Sequence, residues 1–406
     1  MYRSPCIFSF FSGSGFLDLG FELSGFNVAY VNEIFPPFMQ AYRYSRQCLN
    51  LPLPEYGYCE AEEADVTRLV AGKPASRLRE LMQDARKNHD IVGFIAGPPC
   101  PDFSIGGKNR GQEGDKGQLS ASYIELICQQ QPDFFLFENV KGLWRTKKHK
   151  AFYDELKLKL ADSGYVFVER LINAIEYGVP QDRDRIILIG FRKNIIKNLG
   201  ISLDENSSML PESLFPWHSE IVHPKPEVFA YPWPQRNLFA GDALLPCPDG
   251  IPQELTVEFW FQKNDVLNHP NAEHYFQPRA GIKRFAEVEE GDDSKKSFKR
   301  LHRWRYSPTA CYGNNEVHLH PYKVRRLSVA ETLAIQSLPK EFALPKNMTL
   351  SNMFKTVGNG VPYLASKGIA QTIIDFLETK QWHYELPLPL NKQLELPLKF
   401  LEKTYT

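Results

Sequence analysis

The chain of 406 residues carries no net charge, because 48 basic side chains are matched by 48 acidic ones. A nucleic-acid partner is therefore not announced by overall charge, and any such surface has to be local. Cysteine is sparse and unpatterned: seven are scattered as Cys6, Cys48, Cys59, Cys100, Cys128, Cys247 and Cys311, with no C-x-x-C pair. That excludes a secreted disulfide framework and a cysteine-rich zinc site, and a reducing cytosol fits best. Long apolar runs are missing too, so no membrane span is indicated. The opening MYRSPCIFSFFSGSGFL is apolar but short, has no small-residue cleavage site, and runs into Asp18 and Glu22. It is therefore not a signal peptide.

What remains is a globular composition, 43% hydrophobic and 24% charged, in a chain comfortable for two domains. Thirty prolines point to a loop-rich portion. Two basic runs break the neutral average. Lys295 to Arg305 (KKSFKRLHRWR) has six basic residues and Lys141 to Lys150 (KGLWRTKKHK) has five, and neither contains an acid. Alone, either run reads as a solvated face.

Short apolar runs at Cys6 to Phe11, Val28 to Val31, Ile91 to Ala96, Phe134 to Phe137 and Arg185 to Phe191 predict buried strands. Helix-like segments lie between them, such as Ala75 to Asn88 and Ala151 to Ser163. This alternation predicts an α/β domain with a mostly parallel sheet, whose ligands bind beyond the carboxyl ends of the strands. From about 205 to 325 the chain is rich in Pro, Trp, His and Asn with little period, which predicts a second, irregular domain. Periodicity returns at Ser328 to Gln336 and in the amphipathic stretch Val361 to Leu377. The tail repeats ELPL at Glu385 and Glu395, where proline forbids a regular helix and an apolar strap is the default reading.

The residues that carry chemistry sit after the predicted strands. Phe11-Ser12-Gly13-Ser14-Gly15 is a glycine turn between strand and helix, suited to bringing backbone N–H groups near a cofactor. The pyrophosphate pattern G-x-G-x-x-G fails at Asp18, a carboxylate that would repel phosphate and tolerate a cationic sulfonium. Glu33 ends the second strand, where an acid commonly takes ribose hydroxyls. Asp65 could accept from an adenine amine. Gly97-Pro98-Pro99-Cys100-Pro101-Asp102-Phe103-Ser104 follows a strand directly, so its prolines hold one thiol rigidly at the sheet's carboxyl edge, as nucleophilic attack requires. Glu138 follows the next strand. In Gln181-Asp182-Arg183-Asp184-Arg185 an arginine could hold a carbonyl oxygen while Asp182 and Asp184 orient it.

Together, in order, FSGSGFLDLGFE, NEIF, DV, GPPCPDFS, ENV, QDRDR, RRLSVAETLAIQSLP and GNGVPYLASKGIA resemble the DNA (cytosine-5) methyltransferase family, over roughly 5 to 195 and 305 to 375. The resemblance implies a Rossmann-like S-adenosylmethionine-dependent domain (1–190 and 355–380), a target-recognition domain (191–354) and a tail (381–406). It implies that Cys100 adds to cytosine C6, that Glu138 binds N3 and the exocyclic amine, and that Arg185 holds O2 with Arg183 beside it. Phe11, Ser12, Gly13, Gly15, Leu17, Glu33, Ile34, Asp65, Val66, Pro99, Asn359 and Val361 would surround S-adenosylmethionine, with S-adenosylhomocysteine as product and no metal. The base would leave the duplex. Ser104, Lys295, Lys296, Lys299, Arg300, Arg303 and Arg305 become candidate contacts to double-stranded DNA. The layout further implies a monomeric bacterial cytoplasmic enzyme, with a cognate restriction endonuclease acting on the same site. Two departures stand out: Phe16 where the family often has glycine, and Pro101 where many members have glutamine.

Three other readings compete. An RNA methyltransferase of similar construction is disfavoured by the long separate region before RRLSVAE. A non-enzymatic DNA-binding relative is disfavoured by intact Cys100, Glu138 and Arg185. A hydride-transferring dinucleotide enzyme is disfavoured by Asp18.

Overall fold

A computed structural model describes residues 4–58, 64–99, 115–204, 207–241, 245–277, 282–295, 297–309 and 317–378. Its first half runs β1 (Cys6–Phe10), α1 (Phe16–Glu22), β2 (Asn27–Asn32), α2 (Pro36–Cys48), β3 (Tyr56–Tyr58), α3 (Gly72–Asn88), β4 (Val92–Ala96), α4 (Asp115–Gln130), β5 (Phe134–Val140), α5 (Gly142–Arg145), α6 (Lys147–Asp162), β6 (Tyr165–Asn173), β7 (Gln181–Asp182) and β8 (Asp184–Arg192). Shorter pieces follow: α7 (Lys193–Asn198), α8 (Lys225–Ala230), α9 (Val257–Lys263), α10 (Ile282–Glu287), and the two-residue strands β9 (Lys299–Arg300), β10 (Ser307–Pro308) and β11 (His318–Leu319). The described chain ends with α11 (Val329–Ile335), α12 (Leu350–Asn359) and α13 (Tyr363–Glu378).

Seven strands form one sheet in the order β3-β2-β1-β4-β5-β8-β6. The pairs from β3 to β5 are parallel, while β8 runs antiparallel to both β5 and β6. The mostly parallel α/β expectation holds. All residues of β1 and β4 are buried, as strands covered on both faces must be. On one face α3, α4 and α6 cover Phe8, Phe94, Phe135 and Phe137. On the other, α1 and α13 cover Ile7, Ile95, Leu136 and Ile189.

Packing crosses the expected boundary at 190/191. Leu210, Phe215 and Trp217 lie in the core under α13, with the Phe215 and Phe376 rings 5.1 Å apart. A third core joins Phe16 and Leu19 of α1 to Trp260, Leu301, Leu333 and Phe354. Among the described residues, the rest of the irregular region forms small clusters around Trp233 and around Phe285.

Helix α1 packs closely against α13. A Cβ on Gly20 would stand 2.5 Å from the backbone nitrogen of Lys367, and Ser366 Oγ donates to Leu17 O at 2.6 Å. Gly20→Ala is therefore expected to lower stability by about 1–3 kcal/mol through overpacking, read as a lower urea midpoint. A variant as stable as its parent would mean that α13 can move away from α1.

Candidate active site

Parallel adjacent strands deliver their carboxyl ends to one edge of the sheet, and β8, running the other way, brings its first residues there. Four segments meet at that edge.

The first is the turn after β1. Phe11 (φ 52°), Gly13 (φ 58°) and Gly15 (φ 84°) adopt left-handed conformations, which tighten the turn. Gly15 is pressed on the Tyr42 ring, where an added Cβ would stand 2.7 Å from Cε2. Gly13 differs: its nearest neighbour in the Cβ direction is Thr356 Oγ1 at 3.9 Å, so space stands open beside it. Ser14 and Thr356 hydroxyls, 2.7 Å apart, tie the turn to α12. Ser12 N donates to Asn32 O at 3.1 Å, joining the turn to β2.

The second segment ends β2. Glu33 is buried; its Oε2 accepts from Gly13 N at 2.9 Å and its Oε1 from Phe35 N at 2.8 Å. Burial raises its pKa, with those two N–H bonds opposing the shift. The Ile34 N–H also bonds this carboxylate, which still has lone-pair capacity for a hydroxyl donor. Ile34 beside it is 58% exposed, an apolar face without cover. Asp65 caps a short helical turn by accepting from Thr67 N at 3.0 Å, and Val66 is buried behind it. The open side of Gly13, the Glu33 carboxylate and apolar Ile34 are the donor and acceptor set that a nucleoside with hydroxyls and a flat base would use. This set therefore fits S-adenosylmethionine.

Asp18, in contrast, does not face that space. It is fully buried, accepting from Ser9 Oγ at 2.6 Å and Tyr42 Oη at 2.9 Å. It thus steadies Tyr42 under Gly15 rather than meeting a ligand charge. Burial, partly offset by those two bonds, pushes its pKa from 3.8 up to about 6. The folded state therefore binds the extra proton between those values, and stability falls as pH rises through that window. The ionised form costs about 3 kcal/mol near neutrality. Asp18→Asn keeps a shape that both hydroxyls can bond. Its denaturation midpoint is expected to be higher at neutral pH and flatter across the window. An unaltered pH profile would acquit Asp18.

The third segment, Gly97-Pro98-Pro99, leaves β4 at the middle of the edge, with Pro98 buried and Pro99 half-buried. Cys100 and Ser104 lie outside the described residues.

The fourth segment joins β5 and β8. Register sets Val140 opposite Arg185 and Glu138 opposite Ile187. Glu138 and Arg185 are thus diagonal neighbours on one face, within reach of long side chains. Arg185 Nε donates to Glu138 Oε1 at 2.8 Å. A Cβ on Gly97 would lie 2.8 Å from Glu138 Oε2. Glycine at 97 is therefore what lets this carboxylate lie against the loop leading to Cys100. The sequence shows the glycine, but only packing shows why it is there.

Several expected roles change. The carboxylates of Asp182 and Asp184 are held elsewhere; Asp184 meets Arg185 only through its backbone carbonyl, which accepts from Arg185 Nη1 at 2.7 Å. Asn173 Nδ2 donates to both, and Asp184 also holds Lys141 at 2.8 Å and Lys225 at 2.6 Å. Arg183 is not beside Arg185 at the edge. It is 1% exposed, and its Nη2 donates to the carbonyls of Gly358 and Gly360 at 3.0 and 3.1 Å. Arg183 falls between β7 and β8 and Arg185 within β8, so the two need not share a face: one meets Glu138 while the other braces the turn carrying exposed Asn359 and buried Val361. Leu17 is a core residue of α1.

The 295–305 run is also corrected. Arg300 is fully buried on the carbonyls of Val288, Phe285, His320 and Lys323. Arg303 is buried against Glu290, with Nε to Oε1 at 2.8 Å. Neither can reach a phosphate, because desolvated guanidinium groups need these internal acceptors. Arg305 pairs with Asp293 at 3.3 Å, Lys299 is half-buried in β9, Lys295 is exposed, and Lys296 lies outside the described residues. Phe16, one of the two departures, packs edge-on against Phe342 at 5.1 Å and fills the space over Gly360. Pro101 lies outside the described residues.

The chain is 56% identical over 94% of its length to the type II methyltransferase M.NmeDI of Neisseria meningitidis serogroup C, covering 86% of that protein. It is 27% identical to M.MthTI of Methanothermobacter thermautotrophicus, covering 92% of this chain and 98% of that one. Its fold aligns, at a TM-score of 0.59 and 20% identity, with a prophage-encoded E. coli protein assigned as a DNA modification methyltransferase, over 92% of this chain and 99% of that one. Because the family model for C-5 cytosine-specific DNA methylase matches from residue 6 to residue 375, spanning the glycine turn, the Glu138 strand and the returning helices alike, the chain belongs to that family.

Proposed function

We propose that this chain methylates C5 of a cytosine within one short duplex sequence, with Cys100 as nucleophile, as the protective half of a restriction–modification pair. The observation that carries this reading is the placement of Glu138: paired with Arg185 and lying against Gly97, three residues before Cys100. The Cys100 thiolate forms a bond to C6 of the flipped cytosine, and the C5–C6 double-bond electrons move onto C5 and the ring. Glu138 holds N3 and the exocyclic amine, and Arg185 holds O2, where negative charge builds. S-adenosylmethionine, when bound, supplies an electrophilic methyl group. A base then takes the C5 proton, the double bond re-forms, and Cys100 departs as thiolate. Gly13, Glu33, Asp65 and Asn359 would hold the cofactor, and the irregular part of 191–354 would read the target. A cognate endonuclease would cut the unmethylated site.

Incubation with labelled S-adenosylmethionine and mixed-sequence duplex DNA, followed by bisulfite sequencing, tests the reading. Protected cytosines within one recurring short sequence are expected. Transfer to transfer RNA instead of duplex DNA would overturn it.

A further inference from the structure

The reassignment of Arg300 and Arg303 to the interior leaves the other basic run to be placed. The chain leaves β5 past Glu138 and Val140 into α5 and α6, so residues 141–150 emerge at the reactive edge. Arg145, Lys147, Lys148 and Lys150 are all exposed there. Among the described residues Arg145, Lys147 and Lys150 have no acidic partner, in contrast to Lys141, which is held by Asp184 at 2.8 Å. Nothing acidic lies in the first turn of α6. Cations there oppose the helix macrodipole, so the chain carries an unbalanced positive surface where positive charge is unfavourable. Trp144, partly buried in the core beneath, fixes α5 in place. Arg145 comes seven positions after Glu138, a span of at most about 25 Å. A duplex that delivers a base to Glu138 would therefore pass over these side chains.

We propose that Arg145, Lys147 and Lys150 form the phosphate-contacting surface that seats the duplex beside the active site. This rests on the proposed reaction on duplex DNA. The surface is sequence-independent: phosphate contacts set position and add affinity, while base edges are read elsewhere.

The test compares the whole protein with the triple variant Arg145→Gln, Lys147→Gln, Lys150→Gln in binding a short mixed-sequence duplex across a range of salt. Each lost phosphate contact flattens the slope of log affinity against log salt by about 0.9, so the triple variant is expected to lose two to three units of slope. Its unfolding midpoint should match that of the parent. Replacing the same three positions by lysine or arginine in exchanged order should restore the slope. The control, Lys193→Gln with Lys197→Gln on α7, neutralises exposed charge at the opposite end of β8 and should leave the slope unchanged. An unaltered slope in the triple variant, or an equal change in the control, overturns the surface while wild-type methylation still supports the reaction. A wild type that methylates no duplex overturns both.

Discussion

Alanine in place of Cys100 is expected to lower methyl transfer to duplex DNA by about 10⁴-fold or more, with cofactor binding and the unfolding midpoint unchanged. The expectation follows from where β4 ends. That strand is paired in parallel with β1 on one side and β5 on the other, and all five of its residues are buried. Its end cannot shift without breaking both ladders. Gly97, Pro98 and Pro99 then lead outward, and two prolines leave few backbone conformations for the approach to position 100. Cys100 lies at most about 11 Å of chain from Gly97, against which the Glu138 carboxylate rests. A thiol in that position has a bond to form with C6, and nothing else nearby in the sequence offers a nucleophile of comparable strength. Single-turnover transfer from labelled cofactor measures the loss. Near-parental turnover in the alanine variant would remove Cys100 from the mechanism.

Glu138→Gln is expected to reduce kcat by about 10²- to 10⁴-fold, with a smaller change in KM for duplex DNA. Glutamine matches the shape but carries no charge and offers only one acceptor oxygen. Arg185, donating to Oε1 at 2.8 Å, would lose its carboxylate partner. Arg185→Met removes the other half of the pair. If the two act as one unit on the ring, the double variant should be far less than multiplicatively worse than either single one. Independent, multiplicative losses would show that the pair in the free protein has no shared task on the base. Melting curves for each variant separate these losses from unfolding.

Much of the fold was legible in the chain itself. The apolar runs at 6–11, 28–31, 91–96, 134–137 and 185–191 each became a strand of the one large sheet, because a strand buried on both faces has to be apolar throughout. The Ser328 to Gln336 signal became α11, with Ser328 and Glu331 forming a capping box at its start. Less visible was β6, whose YVFVERLIN mixes apolar and charged residues because it forms the sheet's edge beside β8. The antiparallel sense of β8 was also hidden, since apolarity does not encode direction.

Local pattern alone was enough for the family, the α/β class and the order in which the chemical groups arrive, because these depend on which residues follow which strand. Tertiary structure decided which charges meet which partners. Arg183 and Arg185 are two residues apart in one motif, yet the first is sealed against Gly358 and Gly360 and the second is aimed at Glu138. Of two basic runs, the longer one turned Arg300 and Arg303 inward to backbone carbonyls and Glu290, while the arginine and lysines after position 144 of the shorter one stayed on the surface. A guanidinium's role is set by the acceptors around it once water is gone. Those acceptors come from segments far away in sequence, so no local pattern could reveal them.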